Sequence, residues 1–296
     1  MKTSLIVQAP AKINLGLAVL GRRADGYHDL ASVMQQISLS DTLVFTPRFE
    51  EGWEFFCTDA ALSGPNNLVC QAAELLSGES GRRLPGVKIT LYKQIPVAAG
   101  LGGGSSDAAA TLKALNCFWN LGLTDCRLKE IGASLGSDIP YCLQGGTVLV
   151  TGRGEALAPL TSLPFYWVVL AMPKGLQLST AAVYGSLNPA RASKPPISYL
   201  VEAIKEGNSA KIEEWFKRGL VNTLEEAVLP DCAPISRLKD RFLELDLNPA
   251  MSGSGPAVFA LTDSYQAALS ALRILKEEEL RAFICWTIPF NSRKED

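Results

Sequence analysis

The sequence feature best suited to chemistry is a glycine-rich segment that leads into a helix-forming run. Residues 96–107 contain four glycines and two serines, and residues 108–116 favour a helix. Glycine allows a left-handed backbone that can approach an anion, and the first turn of a helix offers unpaired N–H groups at the positive end of its dipole. Ser105, Ser106 and Asp107 are good cap residues for this helix. The segment is therefore expected to bind phosphate groups, with a triphosphate as its natural ligand.

Two common phosphate-binding signatures do not fit this segment. The P-loop requires lysine directly after its last glycine, whereas Ser105 follows Gly104 and the next lysine is Lys113. The dinucleotide fingerprint requires a sixth-position glycine where this chain has Ser105. A loop that only turns the chain between a strand and a helix is the alternative interpretation.

Polar residues elsewhere could complete such a site. Alternation over residues 12–19 places Lys12 and Asn14 on one face of a strand. A second small-residue turn, over residues 251–257, precedes a strand near the C-terminus, and alone it is equally well explained as a hairpin connection. The two serine-containing loops could close on one ligand from opposite sides.

Composition narrows the class of protein. The chain has 296 residues, 47% hydrophobic and 20% charged, which is typical of a globular protein with about two domains. The net charge of −2 disfavours nonspecific binding to nucleic acid. Seven scattered cysteines without a Cys-x-x-Cys step indicate a reducing cytoplasm, and no signal peptide or membrane span is expected. The single histidine, His28, excludes the histidine pairs of zinc enzymes, and no metal site is predicted.

The apolar pattern predicts an α+β chain that carries these residues. Strands are predicted over residues 5–8, 13–20, 41–46, 87–92, 147–150, 165–171, 257–261 and 282–286. Helices are predicted behind the glycine-rich segment and over residues 66–76, 128–135, 179–185, 198–205, 212–220, 237–243 and 264–275, with a short element starting near Ser137. Residues 153–164 lack periodicity, so the predicted domains are 1–155 and 164–296.

The motifs together resemble the GHMP kinase superfamily. The motifs that carry this resemblance are residues 10–15 with residues 23–28, the loop 96–106, the segment 136–140, and the Ser-Gly-Ser-Gly run at 252–255. The resemblance implies an α+β, two-domain GHMP kinase fold with the active site in the cleft between the domains. It also implies an ATP-dependent kinase that phosphorylates the 2-hydroxyl of the methylerythritol part of a cytidine-diphosphate conjugate, on the non-mevalonate route to isoprenoid precursors.

The resemblance also assigns roles. Asp138 is implied to be the general base and Lys12 its catalytic partner; on position alone, Asp138 also fits a helix cap and Lys12 a solvent-facing strand lysine. The implied ATP-binding residues are Pro96, Val97, Ala98, Ala99, Gly100, Leu101, Gly102, Gly103, Gly104, Ser105, Ser106, Asn66, Asn67 and Lys93. The implied substrate-binding residues are Asn14, Tyr27, His28, Tyr184, Ser252, Gly253 and Ser254.

In this assignment Tyr27 and Tyr184 stack on the cytosine ring and His28 reads its edge, although Tyr184 also fits the apolar face of an ordinary helix. Mg²⁺ is expected to arrive with ATP, held by phosphates and water. Asp107 either caps the helix or approaches that ion, and we favour the cap. Two other functions stay open: a related kinase acting on homoserine, a mevalonate derivative or a sugar, and a nucleotide-binding regulator without turnover.

Overall fold

The computed structural model describes residues 3–79, 81, 83–161, 163–190, 192–218 and 221–289. The chain forms two compact units: unit 1 is Met1–Ala11, Leu39–Val97 and Gly102–Gln144, and unit 2 is Lys12–Ser38, Ala98–Leu101 and Gly145–Asp296. Two long strands, β1 (Leu5–Arg22) and β2 (His28–Pro47), run from one unit into the other. The chain thus passes between the units several times, whereas the predicted domains divide it once, and that division remains a prediction.

Unit 1 packs helices on a small sheet. The second half of β2 pairs antiparallel with β4 (Val87–Tyr92), and β4 pairs parallel with β3 (Trp53–Cys57). The helices are α1 (Leu68–Glu79), α2 (Gly103–Trp119), α3 (Asp125–Leu135) and α4 (Ile139–Gln144). Helix α2 is buried along most of its length by small and branched apolar side chains such as Ala108 and Leu112, so its position is fixed by packing.

Unit 2 contains an antiparallel sheet in the order β10-β7-β9-β8. Its strands are β7 (Trp167–Pro173), β8 (Pro249–Met251), β9 (Val258–Thr262) and β10 (Leu280–Trp286). The first half of β2 pairs with β5 (Thr147–Gly152), which pairs with β6 (Ala156–Pro159). The helices are α5 (Thr180–Ser186), α6 (Ile197–Lys205), α7 (Ser209–Lys217), α8 (Glu225–Val228), α9 (Ala233–Glu244) and α10 (Tyr265–Glu277).

Most predicted elements are confirmed, with several corrections. The two strands predicted over residues 5–8 and 13–20 are one strand, because Pro10 does not break it. Helix α3 begins three residues earlier than predicted, where the Thr124 hydroxyl accepts the Arg127 N–H at 3.2 Å. Strands β3, β6 and β8 and helix α8 were not predicted, since three to five residues show little periodicity. The end of the predicted helix 212–220 lies outside the described residues, and α7 ends at Lys217.

None of the helices in the described ranges is long and apolar enough to cross a membrane.

Candidate functional site

Helix α2 begins within the glycine-rich segment. Its N-cap is Gly102, which has a left-handed backbone with φ +66°, and the helix starts at Gly103. The predicted serine caps are wrong, because Gly104, Ser105 and Ser106 already belong to the first turn. The Ser106 hydroxyl instead donates to the Pro10 carbonyl at 2.7 Å, and the Ser106 N–H makes a helical bond to Gly102. The glycines thus leave backbone N–H groups uncovered at the N-terminus of a long, buried helix, which is the positive end of its dipole. An anion site requires this arrangement.

The predicted cap role of Asp107 is also wrong. The Lys93 ammonium donates to the Asp107 carboxylate at 2.8 Å and also to Asp41. Burial, assisted by the nearby Asp41 carboxylate, raises the pKa of Asp107 to about 7, although Lys93 opposes this shift. Burial lowers the pKa of Lys93, but the two carboxylates outweigh it and the pKa is raised. Because its ammonium is engaged with both carboxylates, the predicted contact of Lys93 with adenine or ribose remains a prediction.

The other predicted ATP and catalytic residues of unit 1 lie at helix ends. Asn67 precedes α1: its side-chain oxygen accepts the Val69 N–H at 2.9 Å and its amide donates to the Leu62 carbonyl. Asn66 beside it is exposed. Asp138 is half-buried directly before α4, where its carbonyl accepts the Cys142 N–H.

In unit 2, Ala99 and Gly100 of the glycine-rich segment contact the small-residue turn at residues 251–257, which we call the second glycine turn. The Ser252 hydroxyl donates to the Gly100 carbonyl at 2.9 Å, and the Ala257 N–H donates to the Ala99 carbonyl at 3.2 Å. Gly100 has φ +76°, and a Cβ there would lie 2.1 Å from the Ser252 carbonyl oxygen. Only glycine fits this contact, so the two motifs that the sequence places about 150 residues apart meet in one structure.

Lys12 and Asn14 lie beside the second glycine turn, at Gly253. A Cβ at Gly253 would lie 3.3 Å from the Lys12 ammonium and 3.4 Å from the Asn14 side-chain oxygen. The Lys12 ammonium donates to that oxygen at 2.9 Å, and the Asn14 amide donates to the Ser32 hydroxyl at 2.8 Å. Ser32 in turn donates to the Gly16 carbonyl at 2.7 Å. Lys12 is therefore not a solvent-facing strand lysine: it is 5% exposed and oriented by a buried polar chain.

The second glycine turn is held by residues that the sequence analysis did not identify. The Asn222 amide donates to the Met251 and Gly253 carbonyls, both at 2.8 Å. Glu225 accepts the Met251 N–H at 2.7 Å and pairs with Lys239. Burial raises the pKa of Glu225 against the effect of Lys239. Ser254, a predicted substrate residue, shares a hydrogen bond of 2.9 Å with the Thr180 hydroxyl.

The predicted cytosine-binding residues form two ring contacts in unit 2. The His28 ring lies against Tyr184, with 5.3 Å between centroids and a tilt of 36°. Tyr27 is 58% exposed, and the Arg153 guanidinium lies 5.2 Å from its ring centroid. The structure therefore brings His28 and Tyr184 together and adds Arg153, which the sequence analysis missed because it lies 126 residues beyond Tyr27.

Comparisons with known proteins agree with this arrangement of motifs. Residues 67–146 match the model for the GHMP kinases N terminal domain, and residues 200–280 match that for the GHMP kinases C terminal domain. A protein of Bacillus cytotoxicus named 4-diphosphocytidyl-2-C-methyl-D-erythritol kinase is 44% identical over 87% of this chain and 88% of its own length.

Solved structures show the same fold. A crystal structure of 4-(cytidine 5'-diphospho)-2C-methyl-D-erythritol kinase matches with a TM-score of 0.81 at 34% identity, covering 96% of this chain and 99% of that chain. L. major mevalonate kinase in complex with R-mevalonate matches with a TM-score of 0.74 at 17% identity, covering 97% of each chain, which bears on the fold alone. The predicted α+β GHMP kinase fold is thereby confirmed. The chain belongs to the GHMP kinase family and is an ATP-dependent kinase that acts on a small molecule.

Proposed function

We propose that the chain transfers the γ-phosphoryl group of ATP to the 2-hydroxyl of 4-diphosphocytidyl-2-C-methyl-D-erythritol, on the non-mevalonate route to isoprenoid precursors in the cytoplasm. The observation that carries the proposal is the identity of 44%, over 87% of the chain, to a kinase named for this substrate. The ring contact between His28 and Tyr184 supports it, because a base-reading edge beside an aromatic face suits cytosine.

In the proposed reaction, the substrate hydroxyl oxygen attacks the γ-phosphorus while Asp138 accepts the hydroxyl proton. The bond from the γ-phosphorus to the oxygen bridging to the β-phosphate breaks, and ADP leaves with that electron pair. The Lys12 ammonium neutralises charge on the transferring group, and Asn14 and Ser32 fix its direction. Positioning and charge stabilisation are the main demands of a loose phosphoryl-transfer transition state, and a buried, hydrogen-bonded lysine supplies both.

The proposed ATP site is the segment 96–106 with Asn66, Asn67 and Lys93. The first turn of α2 offers N–H groups and small side chains, which suit phosphate oxygens. Among the described residues, no group of three or more His, Cys, Asp or Glu side chains is placed to hold a metal ion. Mg²⁺ is expected to arrive on the nucleotide with its own waters, where it would supply charge neutralisation.

The proposed substrate site uses Asn14 near the reacting hydroxyl, and Ser252, Gly253 and Ser254 in the turn beside it. Tyr27 and Tyr184 provide the aromatic faces for cytosine, and His28 recognises its polar edge. Stacking contributes about 1–3 kcal/mol per base in aromatic sites, so each ring is expected to affect substrate binding measurably.

The test of the substrate is an ADP-release assay with Mg-ATP and four acceptors: the cytidine conjugate, homoserine, mevalonate and galactose. Turnover with the cytidine conjugate alone supports the proposal. Turnover with another acceptor would replace the proposed substrate and leave the kinase family unchanged. Tight ATP binding without turnover on any acceptor would favour a regulator.

The test of the base is Asp138→Asn. We expect turnover to fall at least ~10²-fold, the lower range for a lost general base, with ATP binding nearly unchanged. Asp125→Asn is the matched control, because Asp125 is an exposed carboxylate in the first turn of α3. Equal turnover in the two variants would remove Asp138 from the mechanism.

A further inference from the structure

Unit 1 contains a buried charge cluster whose two carboxylates have no role in the proposed mechanism. It consists of Asp41 on β2, Lys93 directly after β4 and Asp107 on α2. The Lys93 ammonium donates to both carboxylates. Asp41 is fully buried and Asp107 is 2% exposed, so water does not screen them. One cation faces two carboxylates, and such an excess of buried charge is costly unless a proton is taken up.

The cluster contacts the residues just before the glycine-rich segment and the start of helix α2 just after it, both of which belong to unit 1. The Asp41 carboxylate accepts the N–H of Gln94 at 2.5 Å and that of Ile95 at 2.9 Å, so it fixes the two residues before Pro96. Asp107 lies on α2, one residue after Ser106 in the first turns of the helix. Lys93 joins these two carboxylates, and the entry to the segment and the start of α2 are thus tied to a single ammonium group.

The second Asp107 oxygen indicates where a proton would reside. Among the described residues, Asp107 Oδ1 is buried and has no hydrogen-bond partner. The Asp41 carboxylate is close enough to raise the pKa of Asp107 through charge and hydrogen bonding. A protonated Asp107 can donate to Asp41, which leaves one ammonium, one carboxylate and one neutral acid. The cluster is then uncharged.

Titratable groups in or directly after the strands of the sheet act on Asp107. From the strands, Lys93 and Asp41 are the charged groups that face it. The Cys57 thiol at the end of β3 is also near, and burial raises its pKa, so it is neutral around pH 7. Titration of the cluster near neutral pH is therefore assigned to Asp107.

We propose that Asp41, Lys93 and Asp107 are positioning residues for the ATP phosphate loop, and that the cluster holds one proton whenever ATP is bound. The inference rests on the proposed assignment of residues 96–106 to the phosphates. A net negative charge behind the first turn of α2 opposes the helix dipole that attracts the anion, whereas the protonated cluster leaves the dipole intact. ATP binding above pH 7 must then take up a proton.

The direct test uses the wild-type enzyme. Mg-ATP is titrated into it calorimetrically, without acceptor and at saturating Mg²⁺, at pH 7.5 and pH 8.0 in two buffers of different ionisation enthalpy. We expect a substantial fraction of a proton to be taken up per bound nucleotide. Binding with no proton uptake at either pH would overturn the inference. Because no acceptor is present, either outcome is independent of which alcohol the enzyme phosphorylates.

Asp107→Asn separates this role from simple packing, because the amide keeps the shape and removes the titrating charge. In the wild type we expect the KM for ATP to rise roughly three- to tenfold from pH 6.5 to pH 8.5, as expected for one added charge at about 10 Å in a partly screened site. In the variant, this KM should no longer change with pH. Proton uptake that persists in Asp107→Asn would assign it to another group and overturn the inference.

Two further variants complete the design. Thr111→Val is the matched control, because the buried Thr111 hydroxyl donates to the Asp107 carbonyl, one turn away on α2, and not to its carboxylate. It should retain the pH dependence of the wild type, and loss of that dependence would indicate a packing effect instead. Asp41→Asn should raise the KM for ATP about tenfold at pH 6.5, since it weakens charged hydrogen bonds to Gln94 and Ile95. A wild-type KM in that variant would overturn the positioning role.

Discussion

Gly100→Ala tests whether contact between the glycine-rich loop and the second glycine turn is required for catalysis. Gly100 has φ +76°, and an alanine Cβ there would lie 2.1 Å from the Ser252 carbonyl oxygen and 3.0 Å from the Gly255 nitrogen. Both atoms belong to the backbone, so no side chain can rotate away. The loop must withdraw by about 1 Å to restore a normal contact, and a displacement of that size at a reacting centre costs about a hundredfold in rate.

The stability change has two separable parts. A left-handed alanine costs roughly 1–2 kcal/mol, and the overlap with Ser252 adds about 1–3 kcal/mol. Gly122→Ala is the matched control, because Gly122 has φ +68° and no atom within 4 Å of its Cβ position. The free energy of unfolding of the control should therefore fall only by the cost of a left-handed alanine, and the control should keep its activity.

The assay combines urea unfolding with steady-state ADP release. We expect Gly100→Ala to lose about 2–5 kcal/mol of unfolding free energy and about a hundredfold in kcat/KM for ATP. If Gly100→Ala were as active as Gly122→Ala, the contact between the loop and the turn would not position the phosphates, and the reasoning would be refuted.

Three other perturbations follow from individual contacts. Asn222→Ala removes the amide that donates to the buried Met251 and Gly253 carbonyls, so the free energy of unfolding in urea should fall by roughly 2–5 kcal/mol. A fall below 1 kcal/mol would contradict the role of Asn222 in holding the turn. Since folding raises the pKa of Asp107 from 3.8 to about 7, its contribution to stability is complete below pH 3.8 and is lost as the pH rises through 7. Wild-type stability should therefore fall by up to roughly 4 kcal/mol over this pH range, and Asp107→Asn should remove that fall. If the variant kept the pH dependence of unfolding of the wild type, this prediction would be wrong. His28→Ala should raise the KM for the cytidine substrate and leave that for ATP unchanged; equal effects on both would contradict base reading.

The sequence predicts the site where the chemistry is local. The glycine-rich segment, the helix behind it and the polar face of Lys12 and Asn14 can all be identified from neighbouring residues, because each pattern lies within one element. The helix bounds are less certain, since a glycine in the left-handed conformation caps α2 where serines were expected. Cap chemistry depends on backbone angles that composition alone does not fix.

The residues that the sequence analysis missed are partners over long distances. Ser32 lies 18 residues from Asn14, Asn222 lies 31 residues from Gly253, and Asp41 lies 52 residues from Lys93. Each is an ordinary polar residue in its own segment, and its role exists only once folding places it beside its partner. The sequence favours a cap role for Asp107 for the same reason, because Lys93, which donates to its carboxylate, lies in a different segment, directly after β4.

These distant partners also explain how the site can be preorganised. Asn14, Ser32 and Asn222 are fully buried, and each makes hydrogen bonds to groups that carry the motifs. A buried polar group without a partner costs about 1–3 kcal/mol, so each such bond penalises any displacement of the motif that it holds. The lysine and the second turn are thus fixed by the folding energy of unit 2, before any substrate binds. Binding energy from ATP and the alcohol then remains available for the transition state.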